Sequence, residues 1–257
     1  MIENFIRKLL RITRVRNTVS IVRAIWFLKI KRVKIKTFDA SEDVHDPTIF
    51  SNMRAVVKNA GNPHPSAKYI FGINNNQASW KSDLLINPLK SIDRVRRNLP
   101  KLKVLSIGPR TEGEMLNLFA HGFKRKNIAG LDLISYSPWI EVGDMHDMPF
   151  QDNSFDIVIC GWAIAYSNNK PKAAGEIIRV LKHHGIVSLG VSYSPFSNDE
   201  ILEKRGYLVA AADRLESTAE ILELFNNHVN REYFRHDIEE SDKNIHGQII
   251  VSFSINK

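Results

Sequence analysis

After Pro100 the apolar residues fall into short runs separated by helical stretches. Strand-like runs occupy Lys103 to Ile107, Asn127 to Leu133, Trp139 to Gly143, Phe155 to Cys160 and Gly185 to Val191. Helix-periodic segments intervene at about Thr111 to His121 and Lys170 to Lys182. Such alternation predicts a parallel sheet covered on both faces. Two further strand candidates, Val229 to His236 and Gly247 to Ile255, flank a short polar segment and predict an antiparallel hairpin, with a helix over Ser217 to Asn227 before them. The expected core, residues 101–257, is α/β: a doubly wound, mostly parallel seven-stranded sheet with an antiparallel C-terminal hairpin.

The pattern upstream is different. From Asp39 to about Pro100, "NAGNPHPSAKY" (Asn59 to Tyr69) and "GINNNQ" (Gly72 to Gln77) are turn-rich, and helical patches lie around Ile49 to Asn59 and Leu89 to Asn98, which reads as a cap or lid over residues 39–100. Residues 1–38 form an arm. Ile2, Phe5, Ile6, Leu9 and Leu10 recur at helical spacing, as do Val19, Val22, Trp26, Ile30 and Val33, while Arg7, Arg11 and Arg14 share another face.

Charge sharpens the division. The chain carries a formal +8, yet residues 1–36 alone hold eleven Lys or Arg against Glu3, a local +10, which leaves the remainder at −2. An amphipathic basic arm fits an anionic membrane surface. It also fits a helix that docks its apolar face on the body with its cations in water, or one that steers nucleic acid. The stretch Val19 to Ile30, broken by Arg23 and Lys29, is too short and polar to span a bilayer. The lone Cys160 excludes an internal disulfide framework and a multi-thiolate zinc site, and no cysteine or histidine set in the sequence suggests metal ligands, so no metal site is expected and a reducing, cytoplasmic setting fits.

The turn after the first core strand, "VLSIGPRTEGE" (Val104 to Glu114), is where a parallel sheet would hold a ligand. A phosphate-cradling loop needs Lys and Ser or Thr after its last glycine, and here Glu114 and Met115 follow Gly113. A dinucleotide site needs G-x-G-x-x-G, and here Glu112 and Glu114 bracket the last glycine and would repel a pyrophosphate, with Arg110 as partial offset. A ligand with cationic groups and no phosphate suits such a turn.

Further residues narrow the choice. Asp132 ends the second strand of the core, and "GDMHDMPFQDNSFDIVICGWAIAYS" (Gly143 to Ser167) and "AAGEIIRVLKHHGIVSLG" (Ala173 to Gly190) follow in order. With these, the chain from about Lys103 to Val191 resembles the class I S-adenosylmethionine-dependent methyltransferases, particularly their small-molecule branch. The resemblance implies a Rossmann-like fold and S-adenosylmethionine as cofactor, with Gly108 and Thr111 at the turn, Asp132 on the ribose diol, and Asp144 and Met145 flanking the adenine. The chain departs from the family's turn at Ser106, where an acid is usual, and at Arg110 and Glu112, where glycines are usual. Either Glu112 or Arg110 holds the amino-acid end of the cofactor in a variant site, or the site is degenerate.

Methyl transfer demands positioning and, for a hydroxyl acceptor, removal of a proton. His146 is the candidate base and Tyr166 the candidate for orienting an acceptor hydroxyl. Trp162 could stack on substrate, and each of the three has packing as its alternative. The stretch "CGWAIAYS" lacks the Pro-Pro-aromatic motif of nucleic-acid amino-methyltransferases, and Cys160 lacks the preceding Pro of a cytosine-modifying nucleophile. The expectation is O-methylation of a small molecule, sugar or cell-envelope glycan, at a membrane surface reached through residues 1–36. The alternatives are a non-catalytic scaffold and an RNA methyltransferase steered by the arm.

Overall fold

The computed structural model describes residues 2–39, 45, 77–109, 111–205 and 213–257. The helical elements are α1 (Ile2–Leu10), α2 (Thr13–Ile25, continued as a π-helical turn, Trp26–Ile30), α3 (Gln77–Ser91), α4 (Asp93–Asn98), α5 (Glu112–His121), α6 (Lys170–Val180), α7 (Asn198–Arg205) and α8 (Thr218–Glu223). The strands are β1 (Lys36–Thr37), β2 (Val104–Ile107), β3 (Ile128–Asp132), β4 (Ile134–Ser135), β5 (Ile140–Val142), β6 (Phe155–Gly161), β7 (Leu181–Tyr193), β8 (Val229–His236) and β9 (Gly247–Ile255).

Seven strands form one sheet in the order β5-β3-β2-β6-β7-β9-β8. The pairs from β5 through β7 are parallel, and β9 runs antiparallel to both β7 and β8. This is the predicted mostly parallel sheet with its antiparallel finish. Side chains alternate between two cores, as a sheet buried on both faces requires. Leu105, Ile107, Val158 and Cys160 point to the side covered by Ala173, Ala174 and Ile177 of α6. Val104, Ile157 and Ile159 point to the other, against Leu85, Ile86 and Leu89 of α3 and Met115 and Leu118 of α5.

Several expected boundaries shift. The strand expected over Gly185 to Val191 runs from Leu181 to Tyr193, and the helix expected over Ser217 to Asn227 is α8 followed by a 3-10 turn at Asn226–His228. The patch at Leu89 to Asn98 is the end of α3 plus α4. The patch at Ile49 to Asn59 and the turn-rich Asn59 to Tyr69 lie outside the described residues, as does Arg110.

The arm docks on the body with only part of its apolar set, Leu10 in a buried cluster with Leu116 and Ala120 and Val19 packed against it. Leu10, Arg16, Ser20 and Ala24 are buried, whereas Ile2, Phe5, Ile6, Leu9, Ile12, Val22, Ile25, Trp26 and Ile30 are exposed. Arg16 bonds the Leu10 carbonyl at 2.9 Å and Asp83 Oδ2 at 3.3 Å. Arg7 and Arg11 donate to the carbonyls of Phe119 and Ala120 at the end of α5, where cations favour the helix dipole. Some cations therefore bind the body and most of the large apolar side chains meet solvent, while the docked face combines the Leu10 cluster with buried polar bonds and small residues.

Candidate functional site

The turn after β2 is built by backbone. Gly108 has φ +71° and donates its N–H to the Leu131 carbonyl at 2.8 Å, and a Cβ there would sit 2.6 Å from that of Ala163. Only glycine fits both conditions. Thr111 then caps α5, its hydroxyl accepting from the Gly113 N–H at 3.3 Å. β3 passes directly under this turn, since a Cβ on Gly130 would lie 2.9 Å from Pro109.

Strand register brings the predicted residues to one edge. Ile107 pairs with Leu131, and Asp132 pairs with Val142, so the Gly108 turn, Asp132 and the loop after β5 are neighbours at the carboxyl ends of β2, β3 and β5. Asp132 is half-buried, and its Oδ1 accepts from the Ile134 N–H at 3.1 Å. The end of the arm flanks it: β1 pairs with β4, and Phe38 N–H donates to the Leu133 carbonyl at 2.8 Å.

Glu112 is fully buried. Its carboxylate accepts from Arg23 of α2 at Nε and, at 3.2 Å, Nη2, and from the Ser137 hydroxyl. The acid that replaces a family glycine thus engages the arm, with Arg23 itself lying over the rings of Phe27 and Trp139.

Past β6, Trp162 adopts φ 64°, a conformation costing a bulky residue about 1–2 kcal/mol. It is held there by its N–H on the Gly190 carbonyl at 2.8 Å, its Nε1–H on Gln248 Oε1 at 2.6 Å, and the Lys81 ammonium 4.8 Å from its ring. Burial pulls the Lys81 pKa down. Tyr166, half-buried, closes the following 3-10 turn, Ala163–Tyr166. Cys160 is fully buried, and burial pushes its thiol up to about 12, which fits packing and not nucleophilic chemistry. It is expected to resist alkylation in the folded protein and to react only on unfolding, as timed thiol titration would show.

Asp144 and His146 lie in a buried network that the sequence did not reveal. His146 Nδ1 is 2.6 Å from Asp144 Oδ1 and its Nε2 is 2.6 Å from Ser167 Oγ. His45, from the segment before α3, places Nε2 2.8 Å from Asp144 Oδ2. Burial alone would raise the Asp144 pKa, but hydrogen bonds from His146 and His45 hold it well below the usual carboxylate range. Met145 is buried among the core residues. His45 and Ser167 carried no local signal, being respectively 99 and 23 positions from Asp144.

Residues 105–189 match the family model described as a methyltransferase domain. Over 58 residues the chain is 40% identical to a demethylmenaquinone methyltransferase of Symbiobacterium thermophilum, a match spanning 23% of each protein. Over 62 residues it is 37% identical to the uncharacterised methyltransferase YcgJ of Bacillus subtilis, spanning 24% of each. The chain thus matches about a quarter of the length of these curated relatives. The solved YcgJ structure aligns with a TM-score of 0.50 at 16% identity, covering 69% of this chain and 99% of that one. The PH0226 protein of Pyrococcus horikoshii also aligns at 0.50, with 15% identity, covering 72% and 93%. Residues 105–189, on a sheet of this order, thus match a methyltransferase domain and are similar to the class I S-adenosylmethionine-dependent methyltransferases.

Proposed function

We propose that the protein transfers the methyl group of S-adenosylmethionine to a small-molecule acceptor, a hydroxyl by preference, presented at an anionic membrane surface. The observation that carries this reading is the placing of the Gly108 turn beside Asp132 at the carboxyl edge of the sheet. The chemistry of the turn agrees: a backbone cradle without room for a Cβ and no lysine among its described residues.

When bound, S-adenosylmethionine supplies an electrophilic methyl on a sulfonium. In our assignment Asp132 accepts the ribose hydroxyls, the Gly108 turn and Thr111 face the amino-acid end, and the loop at Gly143 to Met145 faces the adenine. The strained turn at Trp162 and Tyr166 holds the acceptor, Trp162 by stacking and Tyr166 by orienting its hydroxyl. Both ring nitrogens of His146 are engaged by Asp144 and Ser167, so the candidate base turns neither nitrogen toward an acceptor.

The membrane half of the reading rests on the arm. Its exposed large apolar residues recur at helical spacing on α1 and α2, and Lys8, Arg11, Arg14, Lys29, Lys31, Arg32, Lys34 and Lys36 are exposed around them. No described helix is long and apolar enough to cross a membrane, so the fit is to a surface.

Calorimetry with S-adenosylmethionine and S-adenosylhomocysteine tests the cofactor. Binding is expected, and Asp132→Ala should weaken it by roughly 100-fold, the loss of about 2–3 kcal/mol from hydrogen bonds to a charged group. Absence of heat and of thermal shift with the wild-type protein would leave the non-catalytic scaffold as the correct reading.

A further inference from the structure

His45, Asp144 and His146 bring two imidazoles and one carboxylate together from two distant parts of the chain. One ligand atom from each lies within 4.8 Å of the others, and all three residues are buried. The rings of His45 and His146 are nearly perpendicular, at 78°, with centroids 4.8 Å apart, so they approach the carboxylate from different directions. We propose that these three residues form a site for one divalent transition-metal ion of the zinc type, with Ser167 orienting His146.

The donor set is the first support. Imidazole nitrogen and carboxylate oxygen are the ligands that zinc and its neighbours take, and three protein ligands leave a fourth position open. The surroundings are the second. A metal-bound imidazole ordinarily gives its other N–H to a fixed acceptor. For His146 that acceptor is in place, because its Nε2 lies 2.6 Å from Ser167 Oγ. Ser167 is itself fixed, its Oγ accepting from the Asn169 N–H at 2.9 Å. His45 is anchored independently: its backbone bridges to Ser167, and its carbonyl accepts from Asn168 Nδ2 at 3.0 Å.

Proton and charge balance are simple. Without metal, a carboxylate can only accept, so the N–H groups are His45 Nε2–H on Oδ2 and His146 Nδ1–H on Oδ1. On binding, each imidazole stays neutral and its proton moves to the other ring nitrogen. For His146, Nε2–H then donates to Ser167 Oγ. The His146–Asp144 pair now at 2.6 Å must open by about 0.7 Å, since bonds of about 2.0–2.1 Å at tetrahedral angles set the ligand atoms about 3.3 Å apart. Among the described residues, the partners of Asp144 are these imidazoles and the His146 N–H, so the ion would bring a permanent positive charge to a buried carboxylate. Its effect is a clamp that ties His45 to the loops after β5 and β6.

The test uses the full chain, stripped with chelator and reloaded with zinc or cobalt chloride, with no methyl donor present. Expected are one metal per chain after gel filtration, four-coordinate cobalt absorption bands, and a rise in melting temperature with zinc that chelator reverses. His45→Ala should abolish the cobalt bands, and Ser167→Ala should weaken binding by about 10- to 100-fold. Metal content near zero in the wild type, or unchanged cobalt spectra in folded His45→Ala, overturns the proposal. Because the readouts are metal content and spectra, their failure is distinct from a failure to bind S-adenosylmethionine.

Discussion

Arg16→Ala is expected to lower the unfolding free energy by about 3 kcal/mol, the lower end of the range for breaking a buried ion pair. Arg16, on α2 of the arm, is fully buried, and its guanidinium bonds Asp83 Oδ2 and the Leu10 carbonyl. Desolvation lowers its pKa and the Asp83 charge opposes that, as expected of a buried cation beside a carboxylate. The cost stays at the low end because the Asp83 side chain keeps 27% of its exposure and also accepts from Asn117 at 2.8 Å and bonds His121 at 2.9 Å. Denaturant melts of Arg16→Ala, Asp83→Asn and the double variant would give the pairwise energy. Additive single effects would show that the pair contributes nothing beyond packing.

The same group sets an acid dependence. Burial would raise the Asp83 pKa, but hydrogen bonds from His121 and Asn117 and the charge of Arg16 lower it below its ordinary 3.8. A carboxyl whose folded pKa lies below the unfolded one stabilises at pH above the unfolded value, and that contribution is lost as pH falls through the folded value. The difference in stability between wild type and Asp83→Asn should therefore shrink as pH drops below about 4.

The central strands β2 and β6 were legible because they are short apolar runs, and β8 and β9 coincide with the expected segments residue for residue. Their order then places Gly108 beside Asp132 without further information. β7 was underestimated because its first turn carries exposed His183 and His184, with His184 at φ 58°, and so looks like a loop. α3 was largely missed: it opens next to an asparagine run and contains Pro88, yet Leu85, Ile86 and Leu89 pack fully against the sheet, and tertiary burial outweighs propensity. The arm's helical spacing was readable but its orientation was not. Periodicity identifies an apolar face without saying what it meets, and here Arg16, Ser20 and Ala24 meet the body instead. Pairings such as Arg23 with Glu112 and His45 with Asp144 depend on tertiary approach and leave no trace in local spacing.

That outward face leads to the prediction with the largest expected effect. Replacing Phe5, Ile25, Trp26 and Ile30 together with serine should reduce binding to anionic vesicles by roughly 1000-fold. Their exposures are 62%, 51%, 39% and 67%, so the packing lost is mainly that of Trp26 against Phe27, and a thermal melt of the variant checks that the arm stays folded. Burying such a side chain completely is favourable by about 1.5–3 kcal/mol, and partial immersion in the headgroup region gives about 1 kcal/mol each. The exposed cations add a separate attraction of about 1 kcal/mol per Lys or Arg near an anionic surface, which salt screens within a Debye length. The two contributions are separable: raising salt should weaken wild-type binding without abolishing it, whereas the serine variant should lose its residual binding in salt. Pelleting that requires no anionic lipid would remove the role of the cations. Absence of pelleting with any vesicle would detach the arm from membranes altogether and return its exposed face to another partner.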